Sequence, residues 1–298
     1  MVLMTHSVTL PPFSLNLWFD FQTMGTYPFM RAAFLAGTPL SLAAGAVGYF
    51  VVLRRVAFAG DALAHVAFAG VLAAVVFRIN PYLGLYGGTV LVALGMGALG
   101  ERARGRDTVI GTVLAWVLGL GVLCLSLYAK HATNSTFGLY ALFGGLIGLT
   151  QAITAAVVGG AVVLGLLVIA RPLLFVSLDP DVAVARRVPV RLLGVLFMGL
   201  LAIVVGQATQ AVGALMVFVL LVTPAAIAQH VTVRPYRALA LAALLALLFT
   251  WVGITLSFYT VLPVSTAVSG LAFLSYFAVR LARQPRPGVG ASHGTSQG

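Results

Sequence analysis

The chain has 298 residues, of which 61% are hydrophobic and only 8% are charged. Soluble domains carry about 25% charged residues, so this composition excludes an ordinary soluble domain and predicts a polytopic membrane protein. The net charge is +11, but the basic residues lie singly or in short clusters between apolar stretches. That distribution is typical of membrane topology signals. We therefore predict an all-α protein in contact with lipid, with no nucleic-acid partner.

The chain divides into three parts. Residues 1–27 contain no Lys or Arg, so they lack the positive region of a cleaved signal peptide, and their aromatic stretch predicts an interfacial segment. Residues 28–281 form the predicted transmembrane domain, and the Gly-, Pro- and Ser-rich residues 282–298 a disordered cytoplasmic tail. Nine stretches are apolar and long enough to cross a bilayer, at 30–53, 58–77, 82–100, 107–128, 152–170, 191–208, 212–229, 238–258 and 262–280.

Turn-forming residues separate these stretches. Asn80-Pro81, Arg171-Pro172 and Arg234-Pro235 are predicted boundaries. The sixth and seventh stretches are divided by a short turn at Gln207–Gln210, and Thr223-Pro224 interrupts the seventh. One or both of these two helices is therefore expected to be broken or re-entrant, and eight crossings are the alternative to nine.

The basic residues predict the orientation. If the first helix ends in the cytoplasm at Arg54-Arg55, fourteen basic residues lie inside and three outside, which agrees with the positive-inside rule. The inner set is Arg54, Arg55, Arg102, Arg104, Arg106, Arg171, Arg186, Arg187, Arg191, Arg234, Arg237, Arg280, Arg283 and Arg286, and the outer set is Arg31, Arg78 and Lys130. The N-terminus is then outside and the C-terminus inside, which requires an odd number of helices.

Asp61 is the one acidic residue inside an apolar stretch, and His65 follows it by four positions. A helix places both on the same face, and ionisable groups at membrane depth are functional by default. Carboxylate and imidazole together suit Zn, Mn or Fe, and two copies of the pair around a symmetric pore would supply four ligands. A metal path, a structural hydrogen-bonded pair and a proton relay are the three interpretations that remain open.

Two further stretches carry specific signals. Asp179-Pro180 predicts a capped helix start, and Pro189 ends that helix about two turns later. This short charged segment suits a partner protein, although a plain connector would have the same pattern. In the run 211–228, small residues permit close helix packing, and Thr223-Pro224 frees a backbone carbonyl, so the run predicts either a gating element or a packing helix.

Three stretches together resemble the zinc/manganese/iron ABC transporter permeases. They are GDALAHVAFAG (60–70), DPDVAVARRVPVRLLGVLF (179–197) and VGALMVFVLLVTPAAIAQ (212–229), and the similarity covers about residues 28–281. The resemblance implies that Asp61 and His65 line the metal path and that 179–189 is the coupling helix, formed by the residues Asp179, Pro180, Asp181, Val182, Arg186, Arg187, Val188 and Pro189. Ala69, Val182 and Arg187 depart from the family, which usually has Pro, an aromatic residue and Gly there.

The resemblance also implies the partners and the cargo. The chain would pair with itself or a second permease, work with two cytoplasmic ATPase subunits, and receive metal from a periplasmic or lipoprotein binding protein in a bacterial plasma (inner) membrane. It contains no GxxxxGK[ST] loop, so ATP hydrolysis belongs to a partner. The predicted function is ATP-driven import of zinc, with manganese or iron next, and a proton-coupled transporter with Asp61–His65 as relay is the alternative.

Overall fold

The computed structural model describes residues 25–98, 106–131, 148–260 and 262–282. In these ranges every regular element is helical, which confirms the all-α prediction. The helices are α1 (Pro28–Leu53), α2 (Ala57–Val76), a π-helical segment (Leu83–Gly87) continuous with α3 (Gly88–Ala98), α4 (Arg106–His131), α5 (Leu149–Leu178), α6 (Pro180–Ala185), α7 (Val190–Val212), α8 (Ala214–Val231), α9 (Pro235–Tyr259) and α10 (Val264–Ala282).

Seven of the described helices are long and apolar enough to cross a membrane: α1, α2, α4, α5, α7, α9 and α10. Two shorter apolar helices, Leu83–Ala98 and Met216–Val231, correspond to the third and seventh predicted stretches. Each of the nine stretches thus contains a helix. The number that cross the bilayer and their direction stay predictions, as do the segments 1–27 and 282–298, which lie almost entirely outside the described residues.

At three predicted boundaries the structure differs from the sequence-based expectation. α5 continues through Arg171 and Pro172 to Leu178, and α8 continues through Pro224 to Val231. Proline is tolerated inside membrane helices because neighbouring groups can satisfy the freed carbonyl. The turn between α7 and α8 lies at Gly213 (φ 89°) rather than at Gln207–Gln210, because a positive φ favours glycine. No break therefore divides α8 at Thr223-Pro224.

α1 lies at the centre of the bundle, where it contacts α5, α7, α8 and α9. Leu40, Val47 and Phe50 on α1 are almost completely buried. At Gly48 the backbones of α1 and α8 approach so closely that a Cβ would overlap the carbonyl oxygen of Leu221. α2 is packed against α4, α8, α7 and the π-helical segment. Gly48 thus lets the backbones of α1 and α8 meet in a core otherwise filled by large apolar side chains.

Contacts between helix ends define the two sides of the bundle. On one side, the Arg191 guanidinium approaches the Ala98 carbonyl oxygen at 3.5 Å, and the Gln229 amide donates to the Tyr49 carbonyl at 3.2 Å. The beginning of α7 and the ends of α1, α3 and α8 therefore share a side with the α1–α2 turn. On the other side, the Gln210 amide lies 3.3 Å from the Tyr82 hydroxyl, which places the end of α7 beside the π-helical segment.

Candidate functional site

Asp61 and His65 lie on the same face of α2, close to its N-terminal end. Asp61 is in the second turn of the helix and His65 is one turn further on. His65 Nε2 is 3.9 Å from Asp61 Oδ1, which is ion-pair distance but longer than a hydrogen bond. The side chains are 19% (His65) and 32% (Asp61) exposed. The two groups are thus adjacent, not locked together, and accessible from one side.

The pair belongs to an open stripe along α2. Phe58, Asp61, His65 and Phe68 follow one another at intervals of three, four and three residues, which places them on one helix face. Phe58 is 62% exposed, whereas Ala62, Leu63 and Ala64 on the opposite faces are completely buried. The stripe ends at Leu72, which is also fully buried. The pair therefore points away from the core of its own protomer.

α8 supports the pair from behind. A Cβ at Gly60, immediately before Asp61, would lie 3.6 Å from Leu221 Cδ1 on α8. Leu221 is nearly fully buried and also faces Gly48 on α1, so it sits where three helices meet. Thr223 is half-buried and Pro224 is buried within one turn of Leu221. The gating role predicted for Thr223 and Pro224 stays a prediction, but they lie on the helix that packs against Gly60, the residue before Asp61.

One protomer offers few metal ligands. Among the described residues, no group of three or more His, Cys, Asp or Glu side chains comes together. Asp61 and His65 are thus two candidate ligands from this part of the chain, fewer than the four of a closed zinc site. A metal held by two such groups would need water or a second copy of the pair to complete its coordination.

A second polar group lies further along the bundle and was not identified from the sequence. The Tyr86 hydroxyl donates to Gln207 Oε1 across the π-helical segment and α7, and Gln207 is 3% exposed. Thr89 and Thr209 are also buried, and their hydroxyls donate to carbonyls within their own helices. Leu85 and Tyr86 pack on Ala67 and Val71 of α2, which places this polar cluster beyond His65 along α2. The sequence signal was three polar residues, Gln207, Thr209 and Gln210, which were assigned to a turn.

The predicted coupling segment forms the short helix α6 and a tight turn. The Asp179 carboxylate accepts a hydrogen bond from the Val182 N–H at 3.0 Å, and Pro180 is the first helical residue, so the predicted cap is present. The helix ends at Ala185, earlier than expected, and Pro189 instead caps α7. Val182 and Val184 are 42% and 51% exposed. The segment thus presents apolar side chains on a rigid, capped helix.

Arg187 occupies an unusual backbone conformation at the end of this segment. Its φ is 58°, and its N–H donates to Val184 while the N–H of Val188 donates to Ala183. This is the hydrogen-bond pattern of a helix end that usually contains glycine. A glycine, which the resemblance predicts at this position, would adopt this backbone conformation without strain. Asp181, Arg186 and Pro189 are exposed and Val188 is half-buried.

Comparisons with known proteins agree with this architecture. The ABC 3 transport family model matches residues 26–282. The manganese transport system membrane protein MntC of Halalkalibacterium halodurans is 30% identical over 279 residues, covering 92% of this chain and 94% of that protein. The zinc uptake system membrane protein ZnuB of Haemophilus influenzae is 29% identical over 258 residues, covering 85% of this chain and 97% of that protein.

Among solved structures, PsaBC from Streptococcus pneumoniae in complex with Fab has the same fold. Its TM-score is 0.76 at 24% sequence identity, over 88% of this chain and 94% of that chain. An inward-facing metal-chelate-type ABC transporter is a more distant match, with a TM-score of 0.57 and 16% identity. The extent of the family match confirms the predicted resemblance: this chain is a multi-pass membrane protein of the ABC 3 transport family, a transmembrane permease subunit rather than an ATPase.

Proposed function

We propose that the chain imports a divalent metal of the manganese–zinc class, and that Asp61 and His65 line the path. The observation that carries this proposal is the open stripe, where a carboxylate and an imidazole 3.9 Å apart face away from the protomer core. Carboxylate and imidazole are both ligands for Mn²⁺ and Zn²⁺. Two ligands per chain would bind a metal long enough to select it and weakly enough to release it.

The same stripe supports a homodimer. An ionised carboxylate exposed to hydrocarbon is costly, so a group such as Asp61 needs protein or water against it. A second copy of the chain, with its own stripe facing the first, would cover both pairs and enclose a shared aqueous path. The two pairs would then contribute two carboxylates and two imidazoles. Phe58 and Phe68, at the ends of the stripe, would form the apolar borders of this path.

The short helix α6 is the proposed contact for the ATPase. Its cap at Asp179 and its exposed Val182 and Val184 give a rigid apolar projection, and Arg186 and Arg187 add positive charge beside it. Membership of the ABC 3 transport family supports a pair of ATPase subunits as the partner. We place α6 in the cytoplasm, because the described arginines lie mainly at the helix ends on its side. Closure of the ATPase dimer would move α6 and switch the bundle between outward and inward openings.

We propose manganese ahead of zinc as the cargo, which reverses the order predicted from the sequence. Six of the matched relatives are named for manganese, whereas ZnuB, which matches 85% of this chain, is named for zinc. A binding protein outside the membrane would deliver the metal to the side that carries Arg31 and Arg78. Competition between Mn²⁺ and Zn²⁺ for uptake by the complete complex tests the order. Stronger inhibition of Zn²⁺ uptake by Mn²⁺ than the reverse is expected.

Energy coupling distinguishes this proposal from a proton-driven transporter. The permease is reconstituted in liposomes with its cognate ATPase and binding protein, and Mn²⁺ uptake is measured with and without ATP. The expected result is uptake that requires ATP and persists when the proton gradient is collapsed. Uptake without ATP that follows the proton gradient would show that the Asp61–His65 pair acts as a proton relay instead.

A further inference from the structure

The turn between α1 and α2 is a rigid connection between the bundle centre and the metal-lining helix. The Val56 N–H donates to the Val51 carbonyl at 2.9 Å, and the Arg55 N–H donates to the Val52 carbonyl at 3.1 Å. Arg55 has a φ of 56°, which completes the tight helix end. Because these bonds fix the turn, a displacement at the end of α1 is carried to the beginning of α2, where Asp61 lies in the second turn.

Arg54, the C-cap residue that follows α1, reaches across to α7. Its guanidinium carbon lies 5.1 Å from the centroid of the Phe197 ring, within cation–π distance. Its Nη2 is also 3.6 Å from the position that a Cβ at Gly194 would occupy. Gly194 and Phe197 are three residues apart, so they lie on one face of α7. The glycine leaves room for the guanidinium, and the phenylalanine supplies the surface on which it rests.

The Phe197 ring is a firm support. It is completely buried, and it contacts Phe50 of α1 in an edge-to-face arrangement with the centroids 6.2 Å apart. Phe50 is one turn before Arg54 on α1. Two successive turns of α1 thus hold the same ring of α7, one through an aromatic contact and one through a cation. A movement of this part of α7 would therefore displace the end of α1.

α7 in turn begins directly after the proposed ATPase contact. α6 ends at Ala185, Pro189 caps α7, and the Leu193 N–H donates to the Pro189 carbonyl at 3.0 Å. Gly194 is in the second turn of α7. The chain between α6 and the Arg54 contact is therefore short and hydrogen-bonded. A displacement of α6 would therefore be transmitted to the Arg54 contact almost undiminished.

We propose that Arg54 is a positioning residue that connects α6, through α7, to the α1–α2 turn and hence to Asp61. The inference rests on the proposed function, because it gives the contact a task in the transport cycle. Arg54 touches neither metal nor nucleotide in this scheme. Instead, Arg54 couples movement of α6, the proposed ATPase contact, to movement of α2, the helix that carries Asp61. Without it, ATP hydrolysis would continue while α2 responds less.

The test measures metal transported per ATP hydrolysed by the complex of permease, ATPase and binding protein in liposomes, with Mn²⁺ as the probe. Arg54→Met removes the cation and keeps most of the side-chain length. The expected result is a drop of about fivefold in the ratio, the scale of one cation–π contact, with ATP hydrolysis maintained. Arg54→Lys should restore much of the ratio because it keeps a cation over the ring.

Arg55→Gly is the matched control. It removes the same charge from the same turn, and it keeps the backbone relaxed because glycine accepts a φ of 56°. The expected ratio is that of the wild type. If Arg55→Gly lowers the ratio as much as Arg54→Met does, the charge of the turn matters and the contact with α7 does not, which would overturn the proposal.

A second variant tests the contact from the other side. Phe197→Leu keeps an apolar side chain in the core but removes the aromatic face, so its ratio should also fall, and the double variant with Arg54→Met should fall no further. Wild-type ratios of metal transported per ATP in both single variants would refute the role of Arg54. Failure of both variants to assemble would also refute it, because the contact would then be needed for folding and not for coupling. Failure of the wild-type complex to use ATP for uptake would instead refute the proposed function.

Discussion

Gly48 gives the sharpest stability prediction, because the structure leaves no space for a side chain there. A Cβ at this position would overlap the carbonyl oxygen and carbonyl carbon of Leu221, both backbone atoms of α8. Backbone cannot move aside as the end of a flexible side chain can. Replacement of Gly48 by alanine therefore forces α1 and α8 apart at the place where Leu221 also packs against Gly60 on α2.

The magnitude follows from two opposing effects. An extra methyl group in a close-packed core costs up to about 3 kcal/mol when the backbone has to shift. Alanine in place of a helical glycine stabilises the folded helix by about 1 kcal/mol, because alanine has the higher helix propensity. The net loss in the free energy of unfolding is about 2 kcal/mol, which corresponds to a melting temperature about 4–8 °C lower at roughly 2–4 °C per kcal/mol.

Gly160→Ala on α5 is the matched comparison, because a Cβ at Gly160 meets nothing within 4 Å. Both variants make the same chemical change in a helix, so their difference isolates the α1–α8 contact. Thermal unfolding of the detergent-purified protein measures both. Gly48→Ala should unfold well below the wild type and Gly160→Ala at or slightly above it. Equal melting temperatures for the two variants would refute the close approach of α1 and α8.

Three other variants test separate features. Arg187→Gly should raise the free energy of unfolding by about 1 kcal/mol by relieving the left-handed backbone, and no rise in melting temperature would contradict that strain. Tyr86→Phe should lower the free energy of unfolding by about 1–3 kcal/mol, because the buried Gln207 amide loses its hydroxyl partner. An unchanged melting temperature would argue against this hydrogen bond. Phe58→Cys in a Cys124→Ala background should be joined to a second copy by a short bifunctional thiol cross-linker, and a purely monomeric product would contradict facing stripes.

The sequence predicted what depends on local physics. A long run of apolar residues is sufficient to predict an apolar helix, so each of the nine stretches contains a helix, and seven of these helices are long enough to cross a membrane. Asp179 followed by Pro180 is sufficient to predict a helix start, and the cap hydrogen bond is present. The face shared by Asp61 and His65 follows from helical spacing alone. These features need no knowledge of what the rest of the chain does.

The features that the sequence did not predict depend on neighbours. Pro172 and Pro224 predicted a helix boundary and a helix interruption, but the surrounding helices let α5 and α8 continue through them. Gln207 read as part of a turn, because its partner Tyr86 is distant in the sequence and only the folded bundle brings them together. The contact of Arg54 with Phe197 is equally non-local. Arg54 was counted as a topology signal, and its packing against α7 has no counterpart in the local pattern.

The orientation of the stripe argues against a purely structural role for the Asp61–His65 pair. A structural pair would be hydrogen-bonded and enclosed by its own protomer, whereas these side chains are 3.9 Å apart and partly exposed on a face that includes two aromatic residues. That arrangement favours a shared path between two copies.

Metal uptake by a variant that lacks both candidate ligands tests the central claim most directly. Asp61→Asn and His65→Ala are combined, and the complete complex is assayed in liposomes for Mn²⁺ uptake and for ATP hydrolysis, with thermal unfolding to verify the fold. We predict that uptake falls to the level of liposomes without permease while the complex still assembles and hydrolyses ATP. Uptake at the wild-type rate by the correctly folded variant would contradict the assignment of Asp61 and His65 to the metal path.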